Sequence, residues 1–442
     1  MNHPYIPHTE ADIQRMLDRI GLKTIDELYA DVPESVVFKK EYDLPPSLSE
    51  TEIRRLFNEL GAKNRRLTIF AGNGAYDHYA PSVIPYLIER SEFITAYTPY
   101  QPEVAQGTLR YIFEYQSLIC ELTGMECSNA SMYDGPTAAA ESMFMALAAT
   151  KKKTRVLISE TLLPQVRKVM HTYAKYRGVT LDTIPATDGT TDLAALQAEL
   201  ETDNVAAVLI PSVNRYGIIE DCTGIAEMVH ARKGLLMMYA DPSALAVIRT
   251  PGEWGADIVC GEAQSLGLPL HFGGPYLGFL ACRKEWVRKL PGRVVGATTD
   301  TDGKRAFVLT LQAREQHIRR EKANSNICSN QSLMALYVTI YLSLMGKQGL
   351  KEVNDLSYGG AHHLYDRLLE TGLFEPVFSR PFLKEFVLKS KLPAENVHHA
   401  LLDAGILGAI PTEEGYVSFC VTEQRTPEDI DRLLAVIKTL KP

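Results

Sequence analysis

Two periodicities divide the chain. Over roughly the first sixty residues, apolar positions recur at helical spacing behind clear helix-start chemistry. Thr9 with Asp12, Thr24 with Glu27 and Ser49 with Glu52 each place a hydroxyl three positions ahead of a carboxylate. That spacing lets side chain and backbone satisfy each other's free donors in a capping box. Gly21 and Gly61 follow these runs, where a residue without Cβ turns left-handed at little cost. Residues 31–47, with Pro45 and Pro46, have the composition of an extended linker. The pattern predicts a helical arm over residues 1–62, of a kind that more often packs on a neighbour than folds alone.

From about residue 130 the spacing changes. Short apolar runs at Val156–Ile158, Thr180–Ile184, Val205–Ile210, Leu235–Ala240, Ile258–Cys260 and Tyr276–Ala281 alternate with helical segments. Among these helices are Pro164–Arg177, with proline in its first turn and Gly178 behind it, and Asp221–Lys233, closed by Gly234. Buried strands alternating with helices predict right-handed crossovers and an α/β fold, with a doubly wound, mostly parallel sheet over residues 63–330. In such a sheet, ligands sit beyond the carboxyl ends of the strands. A helix from Gln331 to Met345, strands at Phe382–Leu388 and Gly415–Val421, and a last helix at Pro427–Leu440 predict a smaller α+β domain over residues 331–442.

Composition narrows the function classes. Hydrophobic residues at 45% and charged residues at 23% match an ordinary soluble protein. The net charge of -8 leaves no domain-wide basic excess, which argues against a general nucleic-acid binder. No apolar run approaches a membrane span, and the opening MNHPYIPHTE lacks the basic-then-apolar order of an export signal. The expected location is therefore cytoplasmic. Cysteines 120, 127, 222, 260, 282, 328 and 420 form no C-x-x-C pair and read as reduced thiols. The pairs His362–His363 and His398–His399 have no zinc-ligand spacing to Cys, Asp or Glu, so no metal is expected. Lys151, Lys152 and Lys153 read as a solvated turn.

Three segments carry candidate chemistry. Tyr133-Asp134-Gly135-Pro136-Thr137 leads into good helix formers, which puts Gly135 and Thr137 at a helix start. Free amides and the dipole there favour an anion, although by itself the motif is an ordinary cap. The run Leu235–Ala240 ends in Asp241 on the ligand edge, where a carboxylate suits either a turn cap or a pyridinium nitrogen. Asp257–Cys260 then leads to Gly261-Glu262-Ala263-Gln264-Ser265 and to Gly273-Gly274-Pro275-Tyr276-Leu277-Gly278. Order and spacing match a fold-type-I pyridoxal-phosphate enzyme, whose Schiff-base lysine falls near Gln264 or Ser265. The chain has Ser265 there and no lysine between Asp241 and Lys284. Neither a hydroxyl nor an amide replaces that amine.

Longer stretches make the likeness more specific. Tyr76-Asp77-His78-Tyr79, the run from Thr95 through Ala96 to Glu103, Asn129 to Gly135, and Arg314 to Cys328 resemble the glycine decarboxylase P-protein family. The resemblance spans nearly the whole chain. Many bacteria split that protein into two homologous halves, and this sequence resembles the first, subunit 1 or alpha. The resemblance implies a heterodimer whose beta subunit bears the lysine and binds pyridoxal phosphate covalently. It further implies decarboxylation of glycine and transfer of the aminomethyl group to the lipoyl arm of the H-protein. For this chain it implies no complete catalytic set, with Ser265 near the lysine position and a vestigial pocket at Gly135, Thr137, Asp241 and Ser265.

Across the subunit interface, two groups are expected to contribute to the partner's cofactor or substrate pocket. Tyr97, Tyr100 and Glu103 lie on a proline-stiffened loop, and Asn324, Ser325 and Asn326 are short hydrogen-bonding residues ahead of the Gln331 helix. The mixed run Arg314 to Lys322 reads as a solvated helix face, with docking of an acidic carrier as the alternative. His78, between aromatics, reads as a packed, hydrogen-bonded residue. Two rival readings stay open: a self-sufficient aminotransferase-like enzyme using Lys284, and a non-catalytic scaffold related to pyridoxal enzymes. The seam that pairs such halves also permits a homodimer of the isolated chain.

Overall fold

The structure, a computed structural model, describes residues 5–95, 97–150, 152–202, 204–328 and 330–441. Ala96 of the Thr95–Glu103 run, Lys151 of the lysine cluster and Met1–Pro4 of the opening segment lie outside the described residues. The chain divides into two units, Met1–Arg65 and Arg66–Pro442.

In the first unit, two of the three capping boxes form. Thr9 and Asp12 cap α1 (Glu10–Ile20), and Ser49 and Glu52 cap α2 (Glu50–Gly61), each with both reciprocal bonds. Gly21 closes α1 at φ 80°. Thr24 caps nothing, because a 3-10 turn (Ile25–Tyr29) follows it and the Glu27 carboxylate accepts the Lys23 N–H instead. Gly61 stays inside α2, which ends at Ala62 in right-handed geometry. Among the described residues of this unit, Leu17 alone is buried, so these helices enclose almost no core of their own.

The second unit begins with β1 (Thr68–Ile69), α3 (Val83–Ile88) and α4 (Gln106–Thr123). The main sheet then builds through β2 (Cys127–Ser128), α5 (Gly135–Thr150), β3 (Arg155–Ser159), α6 (Pro164–Arg177) and β4 (Thr180–Ile184). After a small hairpin, β5 (Ala186–Thr187) and β6 (Thr190–Thr191), come α7 (Leu193–Leu200), β7 (Val205–Pro211) and α8 (Ile225–Ala231). The sheet is completed by β8 (Leu235–Ala240), β9 (Ile258–Glu262) and β10 (Gly278–Cys282). Across the sheet the order is β2-β10-β9-β8-β7-β3-β4, with β10 antiparallel to both neighbours and the other pairings parallel. Every residue of β7, β8, β9 and β10 is buried, since apolar clusters cover both faces. This is the doubly wound, fold-type-I architecture that the alternation of runs and helices requires.

Among the predicted elements whose bounds shift, such as the strand expected at Phe382–Leu388 and found at Glu385–Ser390, two do so for evident local reasons. β10 begins at Gly278 rather than Tyr276, because the Leu277 N–H is drawn to the Glu262 carboxylate at 2.9 Å. α8 begins at Ile225 rather than Asp221, because Asp221 accepts the Thr223 N–H in a tight turn and Gly224, at φ 80°, starts the helix. Lys153, read as solvated, donates to the Val205 and Arg232 carbonyls.

Beyond β10 lie the hairpin β11 (Val294–Thr299) and β12 (Arg305–Thr310), α9 (Gln316–Arg319) and α10 (Ser332–Glu370). Gly346, at φ 58° and ψ -173°, breaks α10, so its first segment ends at Met345 as the sequence predicts. The C-terminal layer contains β13 (Phe374–Pro376), β14 (Glu385–Ser390), α11 (Ala394–Asp403), β15 (Ile406–Leu407), β16 (Ile410–Pro411), β17 (Val417–Cys420) and α12 (Pro427–Thr439). Its sheet runs β13-β14-β17-β16. β1 pairs with β15, and Phe70 is buried in this layer's core. Residues 68–70, which the sequence reading groups with the large domain, therefore pack with the C-terminal layer. Asn73–Tyr79 then touches both sheets, through Glu385 and Glu423 on one side and Gln264 on the other.

The β8–β9 contact is tight enough to test. A Cβ on Gly261 would lie 2.0 Å from the Ala240 carbonyl oxygen and 2.7 Å from the Phe279 ring. Gly261→Ala should destabilise the chain by about 1–3 kcal/mol, seen as a lower thermal midpoint; an unchanged midpoint would contradict this packing.

Candidate functional site

The ends of β8 and β9 meet the start of α5, so the three motifs converge as their order requires. Ser265, buried beyond β9, donates its hydroxyl to Asp241 Oδ1 beyond β8. At the start of α5 the Gly135 N–H donates to Glu262 Oε2 at 2.9 Å, and the Thr137 N–H to Asp134 Oδ1 at 2.7 Å. The Ala138 N–H donates to the Asp134 carbonyl at 2.9 Å, and Pro136 has no N–H to offer. Of the donors that a helix start ordinarily leaves for an anion, the Gly135 and Thr137 amides are thus engaged by the protein. Burial pushes the Glu262 carboxyl up to about 7, against the amides of Gly135, Leu277 and Gln264 that hold it down.

An amine does reach the pocket, from the far end of the sequence. Lys384, just before β14, places Nζ 2.8 Å from Asp241 Oδ2 and 2.9 Å from His78 Nε2. The same nitrogen lies 4.0 Å from the centre of the Tyr76 ring, in cation–π geometry. His78 Nδ1 is 2.6 Å from Glu423 Oε2. A lysine ammonium only donates, so Nε2 accepts and the imidazole proton sits on Nδ1, directed at Glu423. Burial, reinforced by the Lys384 charge, lowers the His78 pKa and keeps the ring neutral. Burial alone would raise the Asp241 pKa, but Lys384, Ser265 and His78 together bring it below the usual value. Gln264, also buried, clamps the Tyr76 backbone: it accepts the N–H at 2.7 Å and donates to the carbonyl at 2.8 Å.

Pyridoxal phosphate does not fit this pocket as its side chains stand. At the helix start the Gly135 and Thr137 amides are already taken by carboxylates, Asp241 is paired with Lys384, and Ser265 stands at the lysine position. Lys284 offers no alternative, because β10 runs antiparallel and carries it past Cys282, which pairs with Ile258 at the opposite edge of the sheet. The aminotransferase-like reading fails on that geometry.

The residues expected at the subunit interface lie on the surface, in separate places. Tyr97 is 82% exposed and shares a cleft of 400 Å³ with Phe93, Arg293 and Gln331. Tyr100 meets His317 edge-on at 6.4 Å, with the Arg293 guanidinium 5.9 Å from its ring centre. Glu103 is exposed. Asn326 and the half-buried Ser325 line a different cleft of 470 Å³, with Glu141, Tyr173, Arg177 and Arg320, while Asn324 is exposed beside it. Arg314 is not part of a solvated face: its side chain is half-buried and donates to the Leu311 and Gly292 carbonyls. Among the described residues, no cluster of His, Cys, Asp and Glu is suited to a metal ion, and no helix is long and apolar enough to cross a membrane.

Residues 3–437 match the family model described as glycine cleavage system P-protein. A protein of Desulfitobacterium hafniense named "Probable glycine dehydrogenase (decarboxylating) subunit 1" is 48% identical, covering 99% of this chain and 100% of its own length. One of the same name from Moorella thermoacetica is 49% identical over 98% of this chain and 99% of its own. A crystal structure of glycine decarboxylase (P-protein) of the glycine cleavage system, in inhibitor-bound form, superposes with a TM-score of 0.92 at 42% identity, covering 99% of this chain and 100% of that one. This chain belongs to the glycine cleavage system P-protein family. The glutamate decarboxylase of Lactobacillus brevis, 13% identical with a TM-score of 0.69 over 93% of this chain and 97% of that one, shares the fold alone.

In this P-protein-family chain, sequence reasoning missed Lys384, Glu262 and Glu141. Lys384 and Glu385 interrupt the otherwise apolar run that predicts a strand at Phe382–Leu388, and Glu262 ends a buried strand. Charges in such positions are the available signal, since burying them requires partners. Glu141 is 2% exposed, with no hydrogen-bond partner for Oε2, and burial pushes its carboxyl up to about 7. The unfolded carboxyl titrates near 4.5, so the folded chain holds this proton more tightly. The resulting stability is complete below 4.5 and is lost as pH rises through about 7, a loss of ~3 kcal/mol at most. Glu141→Gln should remove that slope, so its melting temperature relative to the parent rises as pH is raised from below the folded value to above it. A difference independent of pH would overturn the assignment.

Proposed function

We propose that this chain is subunit 1 of a two-subunit glycine dehydrogenase (decarboxylating), completed by a homologous lysine-bearing second subunit that binds pyridoxal phosphate covalently. One observation carries the reading. A chain matched from end to end by proteins named subunit 1 has Ser265 where the cofactor lysine belongs, and its Asp241 is already paired internally. The cofactor on the partner supplies the electron sink for the carbanion left when glycine loses CO2. The aminomethyl group passes to the lipoyl arm of the H-protein.

The contribution of this chain is positional. Asn324, Ser325 and Asn326 offer short donors to the partner's cofactor phosphate, and Tyr97, Tyr100 and Glu103 form a stiff wall beside its substrate pocket. The exposed apolar side chains of the arm, among them Ile25, Leu28, Tyr29, Val36 and Phe38, are suited to burial on the second subunit. The isolated chain pairs with itself through the same seam, and the assembly works in the cytoplasm.

The purified chain, given pyridoxal phosphate and glycine, should show no exchange of the glycine carboxyl with labelled bicarbonate, and adding the second subunit should restore it. Steady release of CO2 from glycine by this chain alone overturns the proposal. In the heterodimer, Asn326→Ala should weaken pyridoxal-phosphate affinity about tenfold to a hundredfold, the loss of one charge-assisted hydrogen bond. Subunit pairing, followed by gel filtration, should stay intact; an unchanged cofactor affinity removes Asn326 from the shared site.

A further inference from the structure

We infer that the pocket of this chain is sealed from within: Lys384 and Glu262 engage the two polar ends of a site laid out like a cofactor pocket, and Lys384 thereby latches the C-terminal layer to the edge of the large sheet. Asp241 stands where a fold-type-I enzyme presents a carboxylate to a protonated ring nitrogen. Here it receives Lys384 Nζ at 2.8 Å, a positive donor in the same relation. The start of α5 stands where such an enzyme presents amides to a phosphate. There the Gly135 N–H meets Glu262 Oε2 at 2.9 Å, an acceptor supplied by the chain.

The constellation is complete on the lysine side. The Lys384 ammonium has three N–H groups, and around it lie Asp241, His78 Nε2 and the face of Tyr76. Its side chain is 5% exposed. The neighbours are locked in turn: His78 on Glu423, and the Tyr76 hydroxyl on Glu385, which also accepts from the Asn73 N–H and the Ser418 hydroxyl. Lys384 and Glu385 belong to the C-terminal layer, Asp241 to the large sheet, and Asn73–Tyr79 runs between them. Because the site supplies its own charges, the chain folds and holds its lobes together without cofactor. The inference does not require glycine as substrate: the chain can be subunit 1 with an open pocket, or sealed in another role.

Introducing the missing amine tests it directly in the full chain. S265K alone, mixed with pyridoxal phosphate and reduced with borohydride, should give no pyridoxyl adduct at position 265 by peptide mass spectrometry. S265K/E262A/K384A, which opens both polar ends, should give one. Trapping by S265K alone, or its failure in a folded triple variant, overturns the inference. A second measurement needs no variant. In the unaltered chain Lys384 should react with acetic anhydride at least roughly tenfold more slowly than the exposed Lys304, an opening penalty of ~1.4 kcal/mol, and pyridoxal phosphate should leave the melting temperature unchanged. Equal labelling of the two lysines, or a melting temperature that climbs with cofactor concentration, counts against the latch.

Discussion

A buried lysine against a mostly buried aspartate ties the C-terminal layer of this molecule to its large sheet. Taking Lys384 and Asp241 out of water costs several kcal/mol for each ion, and their attraction offsets this only with good geometry and further hydrogen bonds. Both conditions hold, since Ser265 covers the other Asp241 oxygen while His78 and Tyr76 complete the Lys384 shell. The pair joins residues 143 positions apart in sequence, one ending β8 and one preceding β14. The segment Asn73–Tyr79 is fixed by the same groups, so three distant parts of the chain share one electrostatic centre.

A site shaped for an ionic ligand leaves uncompensated charge when the ligand is absent. A strand-end carboxylate wants a cation and a helix start wants acceptors, and burying either without a partner is costly. The chain meets the first need with Lys384 and the second with Asp134 and Glu262. A hydroxyl at position 265 then suffices, because its only task is to donate to Asp241. Membership of the P-protein family and the absence of a lysine at that position thus coexist without strain. The fold persists because its apolar layers do not depend on the cofactor, and the pocket persists because its charges are balanced internally.

The surface is arranged differently. The Tyr97 and Asn326 clefts present polar and aromatic groups outward, and the helices of Met1–Arg65 keep most of their apolar side chains exposed. Such surfaces suit a chain that completes another, where burial is supplied on assembly rather than on folding.

Much of the architecture was legible in the sequence, because strands buried on both faces need continuous apolar runs and helices need caps. β4 and β8 fall on their predicted residues, as does α6 with Gly178 behind it. The failures were local competitions: Glu27 bonding backward to Lys23, Gly224 starting α8 late, and Leu277 drawn to Glu262. The family resemblance, the missing lysine at position 265 and the candidate status of Gly135, Thr137 and Asp241 were also available from residue order alone. What fills the pocket was not. Periodicity reports which face of an element is buried, but not which residue more than a hundred positions away will pair with a polar group on it. The layers and the lack of an amine beyond β9 follow from residue order, whereas the placing of Lys384 on Asp241 and of Glu262 on the Gly135 amide follows from folding, because a buried polar group is satisfied by whatever lies near it in space.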